Sequence, residues 1–138
     1  LELEVTESAC LNNEQHFTEI MNKLKSLGFT ISMDDFGTGY SSLNMLRRLP
    51  VDVLKLDRGF ICDSIGDEKG KIVVNKILEM ASELNMVTVA EGIETPEQAM
   101  YLKNAGCKIA QGFLYGRPLD VVTFVHTFLS GENSICQE

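Results

Sequence analysis

Apolar positions along the 138-residue chain follow two rhythms that alternate from end to end. Short runs with a two-residue period and β-branched side chains predict strands at 1–6, 29–35, 52–57, 86–91 and 108–113. Spacings of three and four predict amphipathic helices between them, at about 13–27, 40–48, 68–85, 96–105 and 120–129. The punctuation agrees with this division. Gly28 and Gly106 stand where helix C-termini are expected, Pro50 closes the second helix, and Thr95-Pro96-Glu97 reads as an N-cap, a first-turn proline and a first-turn acid. Residues 130–138 are polar and aperiodic, and are expected to form a disordered tail.

Strands alternating with helices imply a parallel sheet covered by helices. Side-chain parity favours a closed (β/α)8 TIM-like barrel over an open doubly wound sheet. Glu2, Glu4 and Thr6 share one strand face, as do Val51, Val53 and Lys55, then Val87, Val89 and Glu91, then Ile109 and Gln111. The last residue on each of these faces is polar or charged, the arrangement that makes the active face of a barrel at the carboxyl ends of its strands. Five strands are too few for an eight-stranded barrel, so the chain is read as an incomplete five-strand portion of one. Exposed sheet edges and barrel-interior residues such as Val53, Val87 and Val89 are then expected to promote association with other chains.

Charge narrows the partners only slightly. A net charge of −8 and a pI near 4.7 argue against nonspecific attachment to DNA or to a membrane surface. No apolar run reaches 18 residues, so no membrane-spanning segment is expected. Cys10, Cys62, Cys107 and Cys136 lack paired spacing and read as reduced thiols in a cytoplasmic setting. His16 and His126 fall within helical patterns and carry no assigned role.

The densest chemistry lies in Ile31-Ser32-Met33-Asp34-Asp35-Phe36-Gly37-Thr38-Gly39-Tyr40-Ser41-Ser42-Leu43. Two carboxylates about 4 Å apart repel by roughly 4 kcal/mol at an effective dielectric near 20. Adjacent acids at a strand end therefore call for a cation, a proton or open water. Gly37-Thr38-Gly39 is not a dinucleotide fingerprint, because Ser42 stands where a third glycine would be. Asp35-Phe36-Gly37 is not a kinase signature either, since no catalytic His-Arg-Asp segment accompanies it.

That segment resembles the metal loop of EAL-type cyclic di-GMP phosphodiesterases. Leu3-Glu4-Val5-Thr6-Glu7-Ser8, Val53-Leu54-Lys55-Leu56-Asp57-Arg58, Ala90-Glu91-Gly92-Ile93-Glu94-Thr95 and Gln111-Gly112-Phe113-Leu114 match the family in its own order. The resemblance identifies residues 1–129 as the C-terminal part of an EAL domain. The Glu-Ala-Leu segment itself, and the asparagine-bearing strand after it, do not occur in these 138 residues.

The resemblance implies a two-metal site with Mg2+ or Mn2+ as cofactor, held here by Glu4, Asp34 and Asp35. Hard carboxylate oxygens suit such ions, and ions about 3.5–4 Å apart activate water and stabilise both attacking and leaving oxygens. The absent glutamate and asparagine would share the first ion with Glu4 and Asp34; Asp34 would bridge to the second beside Asp35. Lys55 would manage the attacking water or offset phosphate charge, or else serve as an ion-pair partner for Asp34 or Glu91. Glu91 is the general-base or second-metal candidate, with Glu94 as its support. Gln111 would contact substrate. Asp57 would line the pocket or pair with Arg58 or Lys55. Phe36, Gly37, Thr38 and Gly39 would form the loop that links metal binding to a homodimer contact, braced by Glu7.

The implied activity is hydrolysis of cyclic di-GMP to linear pGpG by a parent protein bearing upstream GGDEF or sensory domains. This chain by itself is expected to be inactive. The alternative is a non-catalytic EAL remnant that binds nucleotide or a protein partner.

Overall fold

A computed structural model describes residues 1–6, 14–37 and 43–129. Five strands, β1 (Glu2–Thr6), β2 (Thr30–Phe36), β3 (Val53–Leu56), β4 (Val87–Ala90) and β5 (Ile109–Ala110), form one sheet in the order β1-β2-β3-β4-β5. Every neighbouring pair is parallel. The connections are helical: α1 (Glu14–Ser26), α2 (Leu43–Arg48), α3 (Arg58–Ile65) with α4 (Glu68–Glu83), and α5 (Pro96–Asn104). After β5 come a four-residue helix, α6 (Val121–Phe124), and a π-helical turn, Val125–Leu129. The architecture is a five-strand arc of a TIM-like barrel.

The two sheet faces divide as parity predicts. Ile31, Met33, Leu54, Leu56 and Ala90 point toward the helices and are buried with Leu46, Ile61, Val74, Leu78 and Leu102 in one core. Burying aliphatic side chains of this size stabilises the fold by about 1.5–3 kcal/mol each. The opposite face carries Glu4, Ser32 and Val53 at one level, with Lys55 and Val89 paired one step further along.

At the amino-terminal end of the sheet, the Lys25 ammonium donates to the Pro50 carbonyl and the Asp52 carboxylate. The other oxygen of Asp52 accepts from the Ile31 N–H at 2.9 Å. This contact ties α1 to the entry of β3.

Four expectations need correction. Between the strand expected at 52–57 and the helix expected at 68–85 lies a further helix, α3. Asp57 caps it, but only Ile61 and Ser64 bury, so eight residues with Gly59 among them show no clear helical period. β5 is two residues long rather than six, because the chain turns after Gln111, with Leu114 N–H bonded to the Ile93 carbonyl. The single helix expected at 120–129 changes register at Val125, and none of its residues is buried. Without a packed face nothing selects one hydrogen-bond period. Of the three valines expected to be exposed, only Val87 is; Val53 and Val89 are buried. Val53 and Val89 have paired strands on both sides, whereas short β5 leaves Val87 without a neighbour there.

The helix punctuation is as expected. Gly28 and Gly106 take positive φ just beyond α1 and α5. Thr95 and Gln98 form a reciprocal capping box at the start of α5. Among the described residues no helix is long and apolar enough to cross a membrane. Cys62 and Cys107 are free thiols; Cys10, Cys136 and the tail 130–138 lie outside the described residues.

Candidate functional site

The carboxyl ends of β1, β2, β3 and β4 converge on Lys55. Its ammonium lies 2.7 Å from Glu4 Oε1, 2.9 Å from Glu91 Oε1 and 3.1 Å from Asp34 Oδ1. Rigid backbone explains the convergence. Thr6 pairs with Asp34 and Lys55 with Val89, so inward-facing positions on four adjacent strands end at nearly one level. The Lys55 side chain is only 11% exposed. Burial would lower its pKa, but hydrogen bonding to Glu4 and Glu91, the nearby Asp34 carboxylate and the charge of Glu91 outweigh that and raise it above the ordinary value. Lys55 is therefore an ammonium at neutral pH, and the ion-pair reading of this residue describes its contacts.

Asp34 and Asp35 are adjacent, and a regular strand would send them to opposite faces. β2 avoids this with a bulge. Met33 pairs with Leu54 and Phe36 with Leu56, so three steps on β2 match two on β3. Asp35 occupies the left-handed region at φ 56°. Bulges of this kind re-aim side chains at the rims of barrels.

Asp34 Oδ1 is buried and receives no well-directed hydrogen bond, even though Lys55 Nζ is 3.1 Å away. A buried anionic oxygen with unused acceptor capacity is suited to a cation. The donor set of Glu4, Asp34 and Asp35 is all hard oxygen, which fits Mg2+ or Mn2+ rather than a thiophilic ion. Yet among the described residues no three acids, histidines or cysteines stand in metal-holding geometry, because Lys55 lies between the carboxylates.

Three other candidates take the following places. Asp57 follows the end of β3, and its Oδ1 accepts from Phe60 N–H at 3.1 Å as the cap of α3; the expected pairing with Lys55 or Arg58 is replaced by this contact. Glu94 Oε1 pairs with Arg58 Nη2 at 2.8 Å. Sequence reasoning missed Arg58, whose partner is 36 positions away and leaves no local pattern. Gln111 sits just past β5 with its side chain exposed, and its main chain bonds Ala90 and Ile93 on the adjoining strand and loop. Phe36 is buried, and its carbonyl accepts from Asp57 N–H at 3.2 Å. Glu7, Thr38 and Gly39 lie outside the described residues.

A parallel α/β arc with acids and a lysine at the carboxyl ends of its strands has the layout of the active face of a barrel. The chain belongs to the EAL domain family, whose model matches residues 1–118. It is 47% identical over 119 residues to the cyclic di-GMP phosphodiesterase NbdA of Pseudomonas aeruginosa, covering 86% of this chain and 15% of that protein. It is 46% identical over 117 residues to the bifunctional diguanylate cyclase/cyclic di-GMP phosphodiesterase MucR of the same organism, covering 85% of this chain and 17% of MucR.

The solved c-di-GMP complex of the PaMucR phosphodiesterase superposes with a TM-score of 0.81 at 44% identity, over 90% of this chain and 50% of that one. The manganese/cy-diGMP complex of Klebsiella pneumoniae BlrP1 superposes with a TM-score of 0.78 at 32% identity, over 85% of this chain and 30% of that one. The chain thus spans less than a fifth of the length of these curated relatives and at most half of these solved chains.

Proposed function

We propose that this chain carries the greater part of the site of a metal-dependent cyclic di-GMP phosphodiesterase. The observation that supports this best is the convergence of Glu4, Asp34 and Glu91 on Lys55 at the strand ends, with a buried oxygen of Asp34 lacking a directed hydrogen bond. Names of relatives that act on or are complexed with cyclic di-GMP, one of them with manganese, support the substrate and the divalent cation.

In this reading Glu4, Asp34 and Asp35 hold the cation, which supplies charge stabilisation at the phosphate and activation of water. Glu91 accepts the proton of the attacking water. Lys55 orients that water or offsets the charge that grows on the phosphate. A new P–O bond forms to water while the P–O bond to the leaving sugar oxygen breaks. The proton returns to that oxygen, and the ring opens to linear pGpG. Gln111, able to donate and accept, contacts the substrate. The proposal extends to a homodimer and to GGDEF or sensory partners in the full-length protein.

A second reading rests on the position of Lys55. The ammonium sits among the acids and stands where a cation would otherwise balance them, which suits a module that binds nucleotide or a partner without hydrolysis. Chromatography for pGpG after incubating cyclic di-GMP with Mg2+ or Mn2+ separates the two. Product from the full-length protein and none in chelator supports the enzyme. Nucleotide binding without product, at any metal concentration, supports the module.

A further inference from the structure

Asp57, Arg58 and Phe60, the cap and first turn of α3, touch both the end of β2 and the loop after β4, the two segments that carry Asp34, Asp35 and Glu91. On one side Phe60 packs against Gly37. A methyl group on Gly37 would fall 2.5 Å from Phe60 Cγ, so the ring fills the space that a side chain would need. The Phe36 carbonyl also accepts from Asp57 N–H at 3.2 Å, fixing the end of β2 to the start of this turn.

On the other side the Arg58 stem lies against Gly92. A methyl group there would fall 2.3 Å from Arg58 Cγ and 2.4 Å from its Cβ. The guanidinium continues past Gly92 to pair with Glu94 at 2.8 Å. Glu91 precedes Gly92 directly, and its own N–H donates to the Leu56 carbonyl at 3.0 Å, one residue before Asp57.

We propose that the first turn of α3 is a strut, with Arg58 and Phe60 as positioning residues that couple the carboxyl end of β2, Asp34–Gly37, to the Glu91–Glu94 loop. Phe60 reports the placement of the first, Arg58 sets the placement of the second, and Asp57 holds the turn that carries both. The exposed Arg58–Glu94 ion pair contributes little stability by itself. Its work is orientation: Arg58 packs where Gly92 has no side chain and so limits where Glu91 can stand. Small misplacements of a reacting group cost far more in rate than in folding.

This inference rests on the phosphodiesterase reading, and the test keeps the two apart. In the full-length protein, hydrolysis of cyclic di-GMP with Mn2+ is measured for the unaltered protein, Arg58→Ala, Arg58→Lys, Phe60→Leu and the Arg58→Ala/Phe60→Leu double variant, with thermal melts on each. Arg58→Ala should lower kcat by about tenfold with KM changed less than threefold, the signature of a misplaced group rather than lost binding. Arg58→Lys, which keeps most of the stem, should recover much of that loss. The double variant should lose no more than about threefold beyond the worse single one, because either change breaks the same connection.

Losses in the double variant that multiply, or a kcat for Arg58→Ala equal to that of the unaltered protein, would overturn the strut. Absence of hydrolysis by the unaltered protein would overturn the phosphodiesterase reading instead. If Arg58→Ala fails to fold, Arg58→Lys and Phe60→Leu carry the test, through hydrogen exchange of residues 91–95: faster exchange there in Phe60→Leu supports coupling, and unchanged exchange removes it.

Discussion

Lys55 Nζ lies 3.1 Å from Asp34 Oδ1, within ion-pair range but outside good hydrogen-bond geometry. The same nitrogen is closer to both Glu4 and Glu91. One ammonium has three protons to give, and three carboxylates claim it. Glu4 and Glu91 are the nearer claimants, and Asp34 retains acceptor capacity in a buried position. A divalent ion would meet that need better than a shared ammonium, since its charge is larger and its coordination number higher. The single Lys55 ammonium thus offsets only part of the charge of the three acids, and the site is still suited to a further cation.

Removing the Asp34 charge tests its place as metal ligand. Asp34→Asn in the full-length protein should lower cyclic di-GMP hydrolysis by more than about 10²-fold, the scale seen for a lost electrostatic catalytic group. Mn2+ binding followed by calorimetry should weaken in parallel. Retained turnover would remove Asp34 from the ligand set.

Much of this was readable from residue patterns alone. Parity placed Glu4, Lys55 and Glu91 on one face, because strand geometry alternates side chains without regard to what lies elsewhere. Asp34 and Asp35 were legible as a pair but not as a bulge. Nothing in Met33-Asp34-Asp35-Phe36 marks the left-handed Asp35 that breaks the alternation. Helix α3 was missed because its stability comes from a cap and two buried residues rather than a periodic face. Arg58 and Glu94 meet only after β3, α3, α4 and β4 are folded, so no local signal announces them.

Lys55→Met should destabilise the folded chain and make it responsive to divalent ions. The substitution leaves Glu4, Asp34 and Glu91 facing one another without the cation between them. A cost of about 1–3 kcal/mol is expected, less than for a fully buried pair because Glu4 is half exposed. The raised pKa of Lys55 means that its contribution is complete below the unfolded value near 10.5 and disappears only as pH rises through the higher folded value. The deficit of Lys55→Met should therefore be constant from pH 6 to 9. Thermal melts with and without millimolar Mn2+ should show a larger upward shift in Lys55→Met than in the unaltered chain; equal shifts would contradict the picture.

Asp52 supplies the acid-side counterpart. Burial works against its charge, but the Ile31 N–H and the Lys25 ammonium outweigh that and lower its pKa below 3.8. A depressed carboxyl pKa gives stability that is fully present above the unfolded value and is lost as pH falls through the folded one. The Lys25–Asp52 contact should therefore hold down to about pH 4 and fade below it. Asp52→Asn should cost about 1–2 kcal/mol at pH 7, as expected for a charged hydrogen bond, and converge with the unaltered chain in acid. Urea melts at pH 7 and below pH 3 measure both; a gap that persists unchanged in acid would show that charge is not the cause.

Asp57 offers a test that separates a cap from a binding group. Its Oδ1 accepts from Phe60 N–H, which a serine hydroxyl can also do, whereas alanine cannot. Asp57→Ala should therefore lose about 1 kcal/mol of stability, the usual cost of removing an N-cap. Asp57→Ser should retain most of it. Because the cap also anchors the turn that holds Arg58 and Phe60, Asp57→Ala should lower kcat along with stability, and Asp57→Ser should recover both. A serine variant that melts like the unaltered protein but binds cyclic di-GMP more than about tenfold more weakly would mean that the carboxylate charge itself faces the substrate, a loss of roughly 1.4 kcal/mol in binding.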